Sequence, residues 1–478
     1  MKRIYFVAIL TFSILQGFAQ NVGIGTVTPL EKLHVAGNIK SDTIKPNAIK
    51  LLPNAGNGRV LTSDALGNAS WQQNSNSAAG NIGYGVWGDC ATNGNIADYF
   101  PVTDTSLYGG FGESVSISGN YAIVGAFNDA TGANPPKGSA SIYHYSGNNW
   151  VFMQKLTDAT GTNNERFGAS VSISGNYAIV GAYLDDVGAN VDQGSASIYR
   201  FNGSTWVLLQ KIIDATGAAG DSFGNSVSIS GTYVIVGAYL DDIGANVDQG
   251  SASIYQYNGS TWVLMQKITD ATGAANDNFG WDTKISGKMA IIGSPNDDVA
   301  ANTDQGSSSV YKYNGSTWGL MQKITDGNGT VGDNFGNAVA IEGNYAVVGA
   351  PGHKVGANFN VGNTNIYKLN GSTWTILQQI DNPQSIVGDR FGYSATISGN
   401  YIMLSSSQTI NGNNQQGSAF IYQKIGIGWQ KLQTVIDPAG VANDFFSAVA
   451  IDGTTKLFLI GAYGFAGSSG KVVFGKIN

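Results

Sequence analysis

A unit of 56 residues recurs along this chain, and that spacing leaves few folds open. Copies begin at Phe111, Phe167, Phe223, Phe279, Phe335 and Phe391, and a degenerate seventh is read at Phe445, 54 residues after the sixth. Self-similarity at a fixed period of this size marks a solenoid or a propeller. In the copy from Phe167, Phe167, Ala169, Val171 and Ile173 alternate with Gly168, Ser170, Ser172 and Ser174, a period of two that predicts a strand. "SGN" at 174–176 is a tight turn, because Gly and Asn tolerate positive φ. A second strand, "YAIVGAY", spans 177–183. A longer polar loop, 184–194, leads to a third strand, "SASIYRF", at 195–201. "NGS" then turns the chain into a fourth, "WVLLQKII", at 206–213.

A lone four-stranded antiparallel sheet has two faces to cover and cannot bury both. Radial stacking solves this, since each sheet then covers its neighbours. The chain is therefore expected to be all-β, a seven-bladed β-propeller of four-stranded antiparallel blades over residues 95–478. A β-solenoid is the alternative, but its coils are usually shorter and lack paired hairpins. The seventh copy stops without a Trp-led fourth strand. Residues 95–104, "NIADYFPVTD", resemble that strand and precede the first Phe-Gly, so they are expected to close the ring.

Composition fits short strands joined by turns better than long helices: 66 residues are Gly, and only 12% are charged, about half the usual share. A net charge of −7 gives no electrostatic footprint for nucleic acid and no polybasic patch for an anionic membrane. Lys2 and Arg3, an apolar run at 4–15 and Gly17-Phe18-Ala19 predict a cleaved export signal over 1–19, too short to span a bilayer comfortably. No second stretch could span a membrane, so the mature protein is expected to be secreted or held at the cell surface. Cys90, the single cysteine, has no partner for an internal disulfide, and stability must come from sheet packing.

Certain words of the repeat carry a family likeness. Phe-Gly at the start, then Val-Gly-Ala or Ile-Gly-Ser, and once Gly349-Ala350-Pro351, resemble the FG-GAP repeat. That family includes the seven-bladed propeller of integrin α subunits and many bacterial surface proteins. The resemblance spans 95–478 and implies a propeller with an adhesion-type role. Calcium-binding repeats of the family carry an Asp-x-Asp-x-Asp-Gly type loop between the first and second strands. Here that place holds only "SGN", "SGT", "SGK", "EGN" or "DGT", so the family's calcium sites do not carry over. Residues 20–71 look like tail-fibre-like or stalk segments, which implies a spacer or a homotrimerisation element, and 72–94 read as a linker.

Strands that alternate in direction put the "SGN" and "NGS" turns on one face of the disc and the longer loops on the other. Asp185, Asp186, Asp192, Asp241, Asp242, Asp248, Asp297, Asp298 and Asp304 all fall in the longer loops, with Lys137, Arg166, Lys354 and Arg390 as the cations expected to oppose them. These acids either make Asx-turns or form a negative platform for a cationic partner. "DDVGANVDQG" offers oxygens that calcium could use, though in no specific ion-loop spacing. Tyr183 and Tyr239, ending second strands, either contact a ligand on this face or pack between blades.

Other signals fail. The repeated "NGSTW" fits a glycosylation sequon, but a hairpin Asn-Gly turn explains it. His34, His144 and His353 lie at unrelated spacings and assemble neither a zinc site nor a triad. Carboxylate pairs recur in several blades, whereas a catalytic acid/base pair needs unlike surroundings. The expectation is a binding or adhesion module, not an enzyme, whose long-loop face meets an extracellular protein or glycan. A polysaccharide hydrolase or lyase with a site at the propeller axis is the alternative. The fifth and sixth units replace the acidic loop with "HKVGANFNVG" and "QTINGNNQQG", and a unique site is expected near them.

Overall fold

The computed structural model describes residues 109–478, apart from 131–135, 148, 162, 383–385, 411, 438–439, 466–468 and 478, together with strands Val22–Ile24, Leu33–Val35, Arg59–Ser63, Ala69–Gln73 and Ile96–Thr103. The chain divides into two units, Met1–Ala79 and Gly80–Asn478. In the first, Val22–Ile24 pairs parallel with Leu33–Val35, and Arg59–Ser63 pairs antiparallel with Ala69–Gln73. The export segment, the linker beyond Gln73, Cys90 and any trimerisation of 20–71 lie outside the described residues.

The second unit is all-β and holds seven four-stranded antiparallel sheets. Blades 1 to 6 cover 111–156, 170–212, 226–268, 283–324, 338–381 and 395–435. Each places its strands in sequence order across the sheet. Blade 7 takes Phe446–Asp452, Leu457–Ala462 and Lys471–Ile477 from the end of the chain. Its fourth strand is Ile96–Thr103, which pairs antiparallel with Lys471–Ile477.

The apolar cores form between blades. One cluster joins Ile179, Ile198 and Ile212 of blade 2 to Phe223, Val227, Val236, Tyr255 and Trp262 of blade 3. The Phe that opens each repeat is at most 1% exposed and fills this joint. The same joint closes the ring, where Phe111, Val124 and Tyr143 pack against Leu459, Val472 and Phe474.

The glycines of "FG" and "VGA" belong to one contact. A Cβ on Gly181 would lie 2.1 Å from the carbonyl oxygen of Gly224, which itself sits at φ +98°. Only glycine permits this approach of one blade's backbone to the next.

Polar side chains repeat the same work. The serines of the first strand do not simply face water; Ser116 and Ser172 accept the N–H groups of Ile173 and Ile229 in the following blades, each at 3.1 Å. At the outer edge the Gln210 amide donates to the Trp262 carbonyl (3.0 Å) and accepts the Trp262 N–H (2.8 Å), a clamp repeated from Gln154, Gln266, Gln322 and Gln378. Across the ring closure, Gly119 N–H donates to the Asp452 carboxylate at 2.7 Å.

The seventh copy is displaced by one residue from its reading in the sequence. Phe446, fully buried, fills the joint, 55 residues after Phe391. Phe445 precedes it at φ +50°, the place held by Arg166 and Arg390 in other copies. The pairing of this copy's first strand shifts register between Phe446 and Ala448. Among the described residues, no helix is long and apolar enough to cross a membrane.

Candidate functional site

Antiparallel strand order places the loops between second and third strands, and those between blades, on one face. The structure divides the acids of that face into two sets. Asp185, Asp241 and Asp297 are buried, at 2%, 4% and 5% exposure. They meet a lysine of the fourth strand, which also holds the first acid of the preceding connection. Lys211 lies 2.7 Å from both Asp158 and Asp185; Lys267 lies 2.8 Å from Asp214 and 2.6 Å from Asp241; Lys323 lies 2.8 Å from Asp270 and 2.6 Å from Asp297. Each lysine thus ties two blades together. Lys155 pairs with Asp129 in blade 1, and in blade 7 Lys471 reaches Asp437 at 2.7 Å from the third strand. The buried acids are therefore met by fourth-strand lysines, which the expectation of Lys137, Arg166, Lys354 and Arg390 did not include.

Asp186, Asp242 and Asp298 form the exposed set, and each accepts a main-chain N–H within its own loop, from Asp192, Asp248 and Asp304, at 2.9–3.0 Å. Asp192, Asp248 and Asp304, the donors, sit at φ +52° to +54° and are partly exposed. The loop acids thus hold the turn, and the net negative field of the face comes from its outermost carboxylates.

Electrostatics follow the geometry. Burial would raise the Asp214 and Asp270 carboxyls, but hydrogen bonds from their lysines and from Thr216 and Thr272 outweigh it and hold both below the ordinary value. Burial would lower Lys267, and its two carboxylate partners raise it instead. The depressed aspartates stabilise above about pH 4, and this contribution is lost as pH falls through their folded values; the raised lysine's is lost only above its ordinary alkaline value. Replacing Lys267 by Met strands two buried carboxylates and is expected to cost about 2–4 kcal/mol at pH 7. Urea denaturation at pH 7 and pH 3 checks this, the gap between variant and parent narrowing at the lower pH.

The first strands of all seven blades line an axial channel of about 360 Å³. At its long-loop mouth the repeat breaks down. The residue two after the repeated Phe is Glu113, Ala169, Asn225, Trp281, Asn337 and Tyr393 in blades 1 to 6, and each of these lines the channel. The residue before the Phe is Arg166, Ser222, Asn278, Asn334, Arg390 and Phe445 in blades 2 to 7, each at positive φ. Glu113 is half-buried, with Oε2 enclosed and unpaired; burial pushes its carboxyl up to about 7, while the Arg166 guanidinium pulls the other way. Arg166 lies 4.9 Å over the Phe127 ring and donates to Asn128 at 3.0 Å.

Aromatic rings edge this mouth. Tyr239 packs edge-on against Trp281 at 4.9 Å, and Tyr463 stacks on Phe445 at 5.0 Å. Tyr183 is half-buried within electrostatic reach of Arg166 and Glu113, and burial raises its hydroxyl. Tyr183 and Tyr239 therefore stand at the mouth, next to channel residues that were not singled out from the sequence. The available signal was the columns that vary while their neighbours stay fixed.

On the same face, the fifth unit and the start of the sixth expose apolar side chains. Phe359 is 65% exposed, Val387 59% and Tyr393 39%; the second and third units expose the smaller Val191 (58%) and Val247 (54%) at the position of Phe359. Gly388 N–H donates to the Phe359 carbonyl at 3.2 Å, so the two loops lie side by side. His353 replaces the loop acid there and meets Asp333 at 3.0 Å.

A family profile for the FG-GAP repeat matches residues 103–143, 150–199, 206–255, 262–311 and 318–365, half of the chain. All but the first of these begin at a fourth strand and run into the third strand of the next blade. No match was found among curated protein sequences.

Proposed function

The chain belongs to the FG-GAP repeat family, and we propose that it is an exported binding module of the adhesion type, not an enzyme, that meets an extracellular protein or glycan through its long-loop face. One observation supports this most. In a ring whose repeated residues are occupied in joining blades, the residues that differ between blades gather at the channel mouth and in the fifth and sixth units, and there aromatic and apolar groups stand exposed. Exposed apolar groups together on a rigid loop face are what a partner covers. The exposed acids of blades 2 to 4 would surround this contact and steer a cationic partner.

The test is a panel of glycans and extracellular proteins, with binding measured for the parent, for Phe359→Ser with Tyr393→Ala, and for Asp242→Asn. The double variant should weaken binding at least tenfold, and Asp242→Asn by less than threefold. Equal loss in both, or none in the double variant, contradicts the reading. The alternative, a hydrolase or lyase at the axis, has its support in Glu113, whose enclosed carboxyl titrates near neutral pH. Turnover of a polysaccharide that Glu113→Gln abolishes would establish it in place of the first reading.

A further inference from the structure

The junction between blades 1 and 2 departs from its siblings in a way the ring does not require. Two residues before the repeated Phe, five other junctions place Asp221, Asp277, Asp333, Asp389 and Asp444, and the ring closure Gly109, while here stands Glu165. Asp221, Asp277, Asp333 and Asp444 each accept the N–H of the residue three before, at 2.6–2.8 Å. Glu165 has no exposed surface, and among the described residues neither carboxylate oxygen has a hydrogen-bond partner. Its carboxylate lies over Gly161, where a Cβ would come within 1.7 Å of it. In the sibling junctions the space over the matching glycine holds a neutral amide, that of Gln193 over Gly217 and of Gln249 over Gly273. The residue matching those glutamines is Lys137, and its ammonium donates to the Gly161 carbonyl at 2.6 Å.

Glu165 does not stand alone. Carboxylate oxygens of Asp158, Glu165 and Asp185 all lie within 4.8 Å of one another, and all three residues are buried. Among the described residues this is the one such group. Asp158 also accepts from the N–H and hydroxyl of Thr160, at 2.8 and 2.7 Å. Lys211 serves Asp158 and Asp185, as the matching lysines serve their pairs elsewhere. The third carboxylate is extra: burial and the two aspartates push its carboxyl up against the pull of Lys211 and Lys137, and a buried charge is costly unless it is fully paired or bound to a metal.

We propose that Asp158, Glu165 and Asp185 bind a calcium ion that locks blade 1 to blade 2 on the long-loop face. Calcium favours carboxylate oxygens and tolerates irregular coordination, whereas magnesium demands near-octahedral geometry and dehydrates reluctantly. The ion shares the two aspartates with Lys211 or displaces it. This site lies on the face opposite the tight turns between first and second strands, and it involves one junction only.

Thermal melts of the metal-stripped full chain, with and without calcium chloride, test the proposal. At a hundredfold excess over Kd the melting temperature should rise by about 3–5 °C, and by less with magnesium. Glu165→Asp installs the residue of the sibling junctions, so it should fold, and it should lose the calcium shift. Asp221→Glu, at a sibling junction, serves as the control and should leave that shift intact. No calcium shift in the parent, or a shift of the same size in Glu165→Asp, overturns the proposal.

Discussion

A chain lacking residues 95–104 will not yield a soluble propeller. Blade 7 would keep three strands, and Lys471–Ile477 would lose its pairing from Lys471↔Thr103 to Ile477↔Ile96. An open edge of this kind, apolar and unpaired, is a template for aggregation. The loss also reaches the ring closure, because Val102 packs against the cluster that joins blade 7 to blade 1. Expression of the deletion should give aggregated protein or a chain without a cooperative thermal transition. A soluble deletion with the parent's melting temperature would show that this segment does not complete the ring.

The second large effect is expected at the repeated phenylalanines. Phe223→Ala removes a side chain that is 1% exposed, packed in the joint between blades 2 and 3. Deleting a buried Phe costs about 3–5 kcal/mol, through lost transfer energy and the cavity left behind. A rigid joint between two sheets has little room to collapse, which favours the upper half of that range. The same substitution distinguishes the two adjacent residues of the seventh copy. Phe446→Ala should behave like Phe223→Ala, and Phe445→Ala, outside the joint, should cost about 1–2 kcal/mol. Denaturant midpoints of the three variants check this; a larger loss at Phe445 than at Phe446 would reverse the register described for blade 7.

The seven-bladed fold was legible because two periods coincide. Alternation along "SVSIS" gives the strand, and the interval between copies gives the blade. The seventh copy was read one residue early, since "FF" offers two candidates and only packing distinguishes them. The inter-blade bonds were hidden for a physical reason. By polarity alone, the serines of the first strand and the Gln and Lys of "WVLLQKI" read as solvent-facing. In the ring Gln210 reaches forward to the next blade and Lys267 back to the connection from the preceding one, across joints that no single repeat contains.

The same point governs the site. Acids repeated in the long loops of the second to fourth units stood out in the sequence by their number, yet Asp185, Asp241 and Asp297 are spent inside the joints. Glu113, Trp281, Asn337 and Tyr393 occupy one column of the repeat but were unremarkable one at a time. Their meeting at one mouth depends on closure of the ring, which converts positions 56 residues apart into neighbours.

The central claim is that repeated residues hold the ring while unrepeated ones meet the partner. Hydrogen–deuterium exchange of the propeller with and without its bound partner tests it most directly. The account predicts protection confined to residues 353–362 and 386–394 and to the channel mouth. Equal protection of 185–192, 241–248 and 297–304, with none around Phe359 and Tyr393, would contradict it.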